Sequence, residues 1–199
     1  IAARFEAFHP GMEVGHWAIN RAKIARLGAR PAGANQTAGE EELRAIGEAI
    51  REGLDEGALG IGFGINYTPA ATPSEIESIF RIAAERKVPA FVHTREFGMA
   101  AIAETIALAR STGTALHIVH VGSSAIGDMP EVLQLIDESQ AAGMDITTEV
   151  YPYTAASTVL ESAMFNLGWQ DNLKIDYGDL AWAATGERLT EESFERYRK

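Results

Sequence analysis

The stretch "VPAFVHTREFG", residues 88–98, runs apolar and extended as far as Val92 and then breaks into His93-Thr94-Arg95-Glu96. Valine and phenylalanine after a proline mark a strand, and four reactive polar side chains at its carboxyl end are more than a simple turn requires. Three further runs have the same character: "ALGIGFGI" (58–65), "ALHIVHV" (115–121) and "DITTEVY" (145–151). Their centres lie about 27–30 residues apart, the length of one strand–helix unit.

Amphipathic segments with helix punctuation fill the intervals. Thr37 with Glu40 predicts a capping box, followed by a stripe of Leu43, Ile46, Ile50 and Leu54. Thr72-Pro73-Ser74-Glu75 supplies an N-cap, a proline at the first helical position and a capping Glu; Asp128 and Glu131 repeat the arrangement. Gly57, Gly113 and Gly143 stand where helices should stop.

Strands alternating with helices predict a parallel sheet covered by helices, either doubly wound or a (β/α)8 barrel. "GIGFGI" (60–65) does not complete the dinucleotide-binding G-x-G-x-x-G pattern, because Ile65 stands at the third glycine position. The placement of polar residues favours the barrel. The strand ends carry Asn66-Tyr67, His93-Thr94-Arg95, His120 with Ser123-Ser124, and Tyr151-Pro152-Tyr153, whereas the turns "EGA", "RKVP", "TGT" and "AGM" at the other pole are bland. Chemistry gathered at the strand carboxyl ends is how barrel enzymes are built. A whole barrel takes about 250 residues, so the expected fold is α/β, part of a (β/α)8 barrel spanning roughly strands three or four to seven.

The sequence starts at Ile1 in mid-pattern, without signal-peptide features, and stops at Lys199 inside a helix opened by Thr190. Residues 1–199 are therefore expected to be an internal piece of one barrel domain, located in the cytoplasm. An open half-barrel leaves two hydrogen-bonding edges, which predicts self-association or completion of the barrel by another segment. A net charge of −11 argues against nucleic acid and anionic membrane surfaces as partners. No apolar run approaches the ~18–20 residues that span a bilayer. The chain has no cysteine, so any metal site must be built from His, Asp and Glu.

His93 and His120 close two consecutive runs. Neighbouring parallel strands lie ~4.8 Å apart, so inward imidazoles at matching levels can share a metal ion. Strand alternation predicts that Arg95 faces the same way as His93, and that His117 turns to the helix-covered side as a structural histidine. The same parity turns Glu149 inward with Tyr151 and Tyr153. Two ligands are one short of the three that usually hold a catalytic zinc; His16 and, less favourably, His9 are the remaining histidines here.

The motifs "GALGIGFGINYTPAAT", "VHTREFG", "HIVHVGSS" and "TTEVYPYTAAST", in that order, resemble the D-aminoacylase branch of the amidohydrolase superfamily. "LHIVHVGSSAIGDMPEVLQLI" and "WAATGERLTEESFERYR" are similar to its N-acyl-D-glutamate deacylase-like members. The resemblance implies a zinc-dependent hydrolase, with one or two ions, that releases a D-amino acid from its N-acyl derivative, a small-molecule substrate. It implies His93 and His120 as metal ligands, and Tyr67, Tyr151, Tyr153 and Ser157 as residues gripping substrate. The family's strand-one His-x-His pair, its bridging Cys or modified Lys, and its strand-eight catalytic Asp have no counterpart here, and Gly122 replaces a substrate-contacting Lys. No catalytic acid or base is therefore assigned.

The guanidinium of Arg95 matches a substrate carboxylate; pairing with Glu96 or Glu149 is the structural alternative. Tyr151 or Tyr67 can donate to a developing oxyanion. Ser123, Ser124 and Ser157 can bond the acyl or carboxylate end. Two other functions fit the same residues: hydrolysis of cyclic amides, as in dihydroorotases and hydantoinases, and an inactive barrel that only binds a ligand.

Overall fold

A computed structural model describes residues 35–198, which divide into two compact units meeting at Thr154 and Ala155. The first unit is a four-stranded parallel sheet in the order β1-β2-β3-β4, with β1 (Ile61–Gly64), β2 (Ala90–His93), β3 (Leu116–Ile118) and β4 (Ile146–Thr148). The helices α1 (Glu40–Asp55), α2 (Pro73–Arg86), α3 (Met99–Thr112), the short α4 (Val121–Ala125) and α5 (Met129–Ala141) precede or follow the strands in alternation. Each of the four strand-like runs of the sequence holds one strand.

Register explains how the sheet has one dry face and one open face. Ile61, Ala90, Leu116 and Ile146 stand level, and so do Phe63, Val92, Ile118 and Thr148. The apolar members of these two rows are buried in one core with Ile46 and Ile50 of α1, Ile79 and Phe80 of α2, Ile102 and Ile106 of α3, and Val132 and Ile136 of α5. The Phe63 and Phe80 rings meet at 4.7 Å. Between those rows lies a third, of Gly62, Phe91, His117 and Thr147, and one level above it Gly64 stands beside His93. Alternation turns these residues to the side the helices do not cover.

The caps follow the sequence in most places. Thr72 Oγ1 accepts from Glu75 N at 3.1 Å with Pro73 opening α2, and Gly113 ends α3 in the left-handed region at φ 72°. Two caps differ from expectation. α1 starts after Gly39, whose N–H donates to Glu42 at 2.9 Å, so Thr37 is not its N-cap. Asp128 makes no side-chain bond to its own helix α5; its carboxylate accepts from Met99 N of α3 at 2.8 Å. An anion at the first turn of α3 is stabilising there, and it joins the loop after β3 to the loop after β2.

The second unit is small and aromatic. Phe165, Trp169, Leu189 and Phe194 form its core, with Phe165, Trp169 and Tyr177 ringed around Phe194 at 5.3–5.5 Å. Its helices are α6 (Trp169–Leu173) and α7 (Glu191–Tyr197), the latter capped by Thr190, whose hydroxyl accepts from Ser193 N. Among the described residues no helix is long and apolar enough to cross a membrane.

One glycine shows how tightly β1 and β2 are fitted. A Cβ on Gly60 would lie 2.6 Å from a Phe91 ring carbon and 2.7 Å from Pro89 O, whereas one on Gly127 would meet nothing within 4 Å. Gly60→Ala is therefore expected to destabilise the first unit by about 1–3 kcal/mol, as overpacking does, with Gly127→Ala within about 0.5 kcal/mol of the parent. Urea unfolding of the three proteins checks both, and equal midpoints would contradict the register.

Candidate metal centre

β2 ends at His93, and its backbone turns away at Thr94, leaving the imidazole buried. His93 Nδ1 lies 3.2 Å from the carbonyl oxygen of Thr94. A carbonyl can only accept, so the ring hydrogen sits on Nδ1 and Nε2 keeps a bare lone pair. β3 ends earlier, at Ile118, and His120 stands in the left-handed region at φ 38°, ψ 52°. That turn brings its ring to 4.7 Å from the His93 ring, centre to centre and nearly perpendicular. Nδ1 of His120 lies 3.1 Å from Ser123 Oγ and 3.3 Å from Ser124 Oγ.

Burial makes a charged imidazole costly here. Burial, with a smaller contribution from the neighbouring His120, pushes the pKa of His93 down to about 4. Burial also lowers the pKa of His120, against a smaller opposing pull from the Glu149 carboxylate. Both rings are neutral at neutral pH, the state in which imidazole binds a metal.

Aromatic rings extend this pair on both sides. Tyr67 meets His93 edge-on at 5.2 Å, Tyr151 lies 6.4 Å from His120, and Tyr153 stacks on Tyr151 at 6.4 Å. Tyr67 sits in the 3-10 turn Ile65–Tyr67 directly after β1. Beside it, Asn66 Nδ2 donates to Arg95 O at 2.8 Å, while Asn66 Oδ1 is buried with no partner among the described residues.

Several expectations need correction. Arg95 lies past the end of β2, where strand alternation no longer applies. Its guanidinium donates to Pro69 O at 3.3 Å and Ala71 O at 3.0 Å, and its ion-pair partner is Glu104 at 3.6 Å rather than Glu96 or Glu149. It fastens the loop after β1 to the loop after β2. His117 is not on the helix-covered side: it shares a row with Phe91, whose ring lies 5.2 Å away, and its Nδ1 is 2.8 Å from Thr147 Oγ1. Parity counted back from His120 failed because β3 ends two residues before it and the chain then turns left-handed. Glu149 does reach the open side, 3.8 Å from His117 Nε2. Ser123 and Ser124 turn to His120.

Ser157 is exposed and belongs to the second unit, and His9 and His16 lie outside the described residues. Sequence reasoning missed the Thr94 carbonyl and the Asp128 link, neither of which carries a local signal. Among the described residues no three His, Cys, Asp or Glu side chains cluster to hold a metal ion. His93 and His120 fit such an ion as two of its ligands, neutral and with the ring hydrogen of His93 already placed.

The chain is 31% identical over 155 residues to an N-acyl-D-glutamate deacylase of Alcaligenes xylosoxydans xylosoxydans, covering 74% of this chain and 30% of that protein. It is also 31% identical over 156 residues to a D-aminoacylase of the same organism, covering 74% and 31%. Among solved structures it is similar to an N-acyl-D-glutamate deacylase from Bordetella bronchiseptica in complex with zinc and a phosphonate that mimics the reaction's tetrahedral intermediate. That match has a TM-score of 0.58 and 27% identity and covers 68% of this chain and 34% of the other. A crystal structure of D-aminoacylase, described as defining a novel subset of amidohydrolases, matches with TM-score 0.59 and 27% identity over 69% and 30%. The chain thus spans about 30% of the length of the curated relatives it matches. No family model matches.

The burial of His93 has a measurable consequence without any metal. Folded His93 resists protonation down to about pH 4, whereas the unfolded residue binds a proton below its ordinary 6.5. Between those values unfolding takes up a proton, so stability falls as pH falls through that window. The loss for the metal-free chain is expected to be about 3 kcal/mol greater than for His93→Gln. Urea unfolding at stepped pH checks this, and parallel curves would contradict it.

Proposed function

Because the chain belongs to the D-aminoacylase branch of the amidohydrolase superfamily, we propose that its histidine pair serves the zinc-dependent hydrolysis of N-acyl-D-amino acids, N-acyl-D-glutamate foremost. The observation that carries this reading is the meeting of two neutral imidazoles, one ending β2 and one two residues past the end of the adjacent parallel β3, with ring centres 4.7 Å apart. Zinc, when bound, polarises a carbonyl and lowers the pKa of water toward ~7, the two things an unstrained amide needs from a catalyst.

The residues of this chain have distinct tasks in that reaction. His93 and His120 would hold the metal through their ring nitrogens. Tyr151, beside His120, donates its phenolic hydrogen to the carbonyl oxygen as it gains negative charge, an interaction stronger in the transition state than in the substrate. Tyr67, edge-on to His93, forms the opposite wall. Arg95 acts by position: its two carbonyl contacts and the Asn66 bond hold the loop that carries Tyr67. Ser157 is assigned to the substrate's polar end on the strength of the "VYPYTAAST" motif alone.

Hydrolysis of N-acetyl-D-glutamate, its L enantiomer, dihydroorotate and hydantoin, with zinc content measured alongside, tests the reading. The expected result is D-selective release of acetate, with zinc and activity both lost in His93→Ala and His120→Ala while circular dichroism is unchanged. Tyr151→Phe is expected to lower kcat by about 10²–10³-fold, as loss of one oxyanion donor does. Turnover of only the cyclic amides, or zinc retained in both histidine variants, would refute it.

A further inference from the structure

The amino-terminal pole of the sheet, at the other end of the strands from the histidine pair, carries a groove of about 510 Å³. Small organic molecules are bound in spaces of that size. Its walls are the last turns of α2 and α3, the turn after α5 and the residues that lead into β3. The groove is open because these turns end in small side chains: Ala83 and Ala84 in α2, Ala109 in α3 and Ala142 after α5. All of the lining belongs to the first unit.

Two cations line this groove, Lys87 directly after α2 and Arg110 in the last turn of α3. Arg110 is held in place from one side. Its Nε donates to Met144 Sδ at 3.3 Å and its Nη2 to Ser139 Oγ at 3.2 Å, and Ser139 is fully buried in α5. Among the described residues no carboxylate pairs with Lys87 or Arg110. The one acidic residue in the lining is Asp145, so the groove carries a net positive charge in a chain whose own net charge is −11.

A cation at the carboxyl end of a helix is stabilising in itself, because the last carbonyls carry negative partial charge. Here backbone N–H groups already serve those carbonyls. Lys87 N and Val88 N donate to Ala84 O and Ala83 O at 3.1 and 3.0 Å, and Thr114 N to Ala109 O at 3.0 Å. After α5, Gly143 N and Met144 N donate to Gln140 O and Ser139 O at 2.9 and 3.1 Å. The guanidinium of Arg110 bonds instead to a sulfur and a hydroxyl of the neighbouring helix and turn, which aligns it across the groove.

We propose that this groove is a binding site for a small monocarboxylate with an apolar body, held through its charge by Arg110 and Lys87. A guanidinium fixed along one edge offers its remaining N–H groups as a planar fork, the shape that a carboxylate matches. Two cations against one acid suit a single anionic group. The alanine side chains and Val88 suit an aliphatic body better than a sugar or a phosphate ester. The site is built without His93 or His120, so it stands whether or not those residues bind zinc.

The test titrates the 15N-labelled full chain with butyrate, with the neutral butyramide and with inorganic phosphate, following the backbone amides by NMR. Butyrate is expected to shift Gly113, Thr114, Ala115 and Gly143 saturably, and butyramide to bind far more weakly. Arg110→Gln is expected to weaken butyrate by about 5-fold, as loss of one good exposed ion pair does. Lys87→Gln, at an exposed position, is expected to weaken it as well, and decides the charge requirement should Arg110→Gln fail to fold. No saturable shift, an equal response to butyramide, or unchanged affinity in the folded variants overturns the proposal. Phosphate bound as tightly as butyrate overturns the assigned ligand class.

Discussion

Two imidazoles with ring centres 4.7 Å apart cannot both carry charge without repelling one another, and burial disfavours charge on either. Everything near the carboxyl ends of the sheet serves that condition. β2 delivers His93 into a buried position, a left-handed residue brings His120 across from a strand that ended earlier, and burial keeps both rings neutral. At His93 the Thr94 carbonyl on Nδ1 leaves Nε2 bare. Such a site loses less side-chain entropy on meeting a cation, because its ligands are already held close together.

The surrounding loops are tied to one another as well as to their own helices. Asp128 caps α3 across the gap between two strand–helix units, the Ser124 carbonyl accepts from Gly98, and Arg95 holds the carbonyls of Pro69 and Ala71. Each bond crosses from one strand end to the next. Neighbouring strand ends are therefore joined both by side chains and by backbone.

Much of this was legible in the sequence because it depends on local periodicity. The alternation of strand and helix, the caps at Thr72 and Thr190, the stop at Gly113 and the inward direction of His93 all follow from patterns a few residues long. The errors lie where the chain leaves its regular element. Parity misplaced His117 because β3 ends at Ile118, two residues before His120, and it misread Arg95 because β2 ends at His93. Asp128 reads locally as the cap of α5, and only the fold shows that it serves α3. The serines read as substrate-facing, since nothing in "HVGSS" announces a left-handed histidine. The zinc and the D-amino acid came from motif resemblance, which the sequence and structural relatives now support at the level of the branch.

The central claim is that His93 and His120 are ligands of one metal ion. Anomalous X-ray diffraction at the zinc absorption edge, on crystals of the zinc-loaded protein, addresses it most directly. The expected result is a peak about 2.0–2.1 Å from a ring nitrogen of each residue, the usual zinc–imidazole distance. Zinc bound away from either ring would contradict the account.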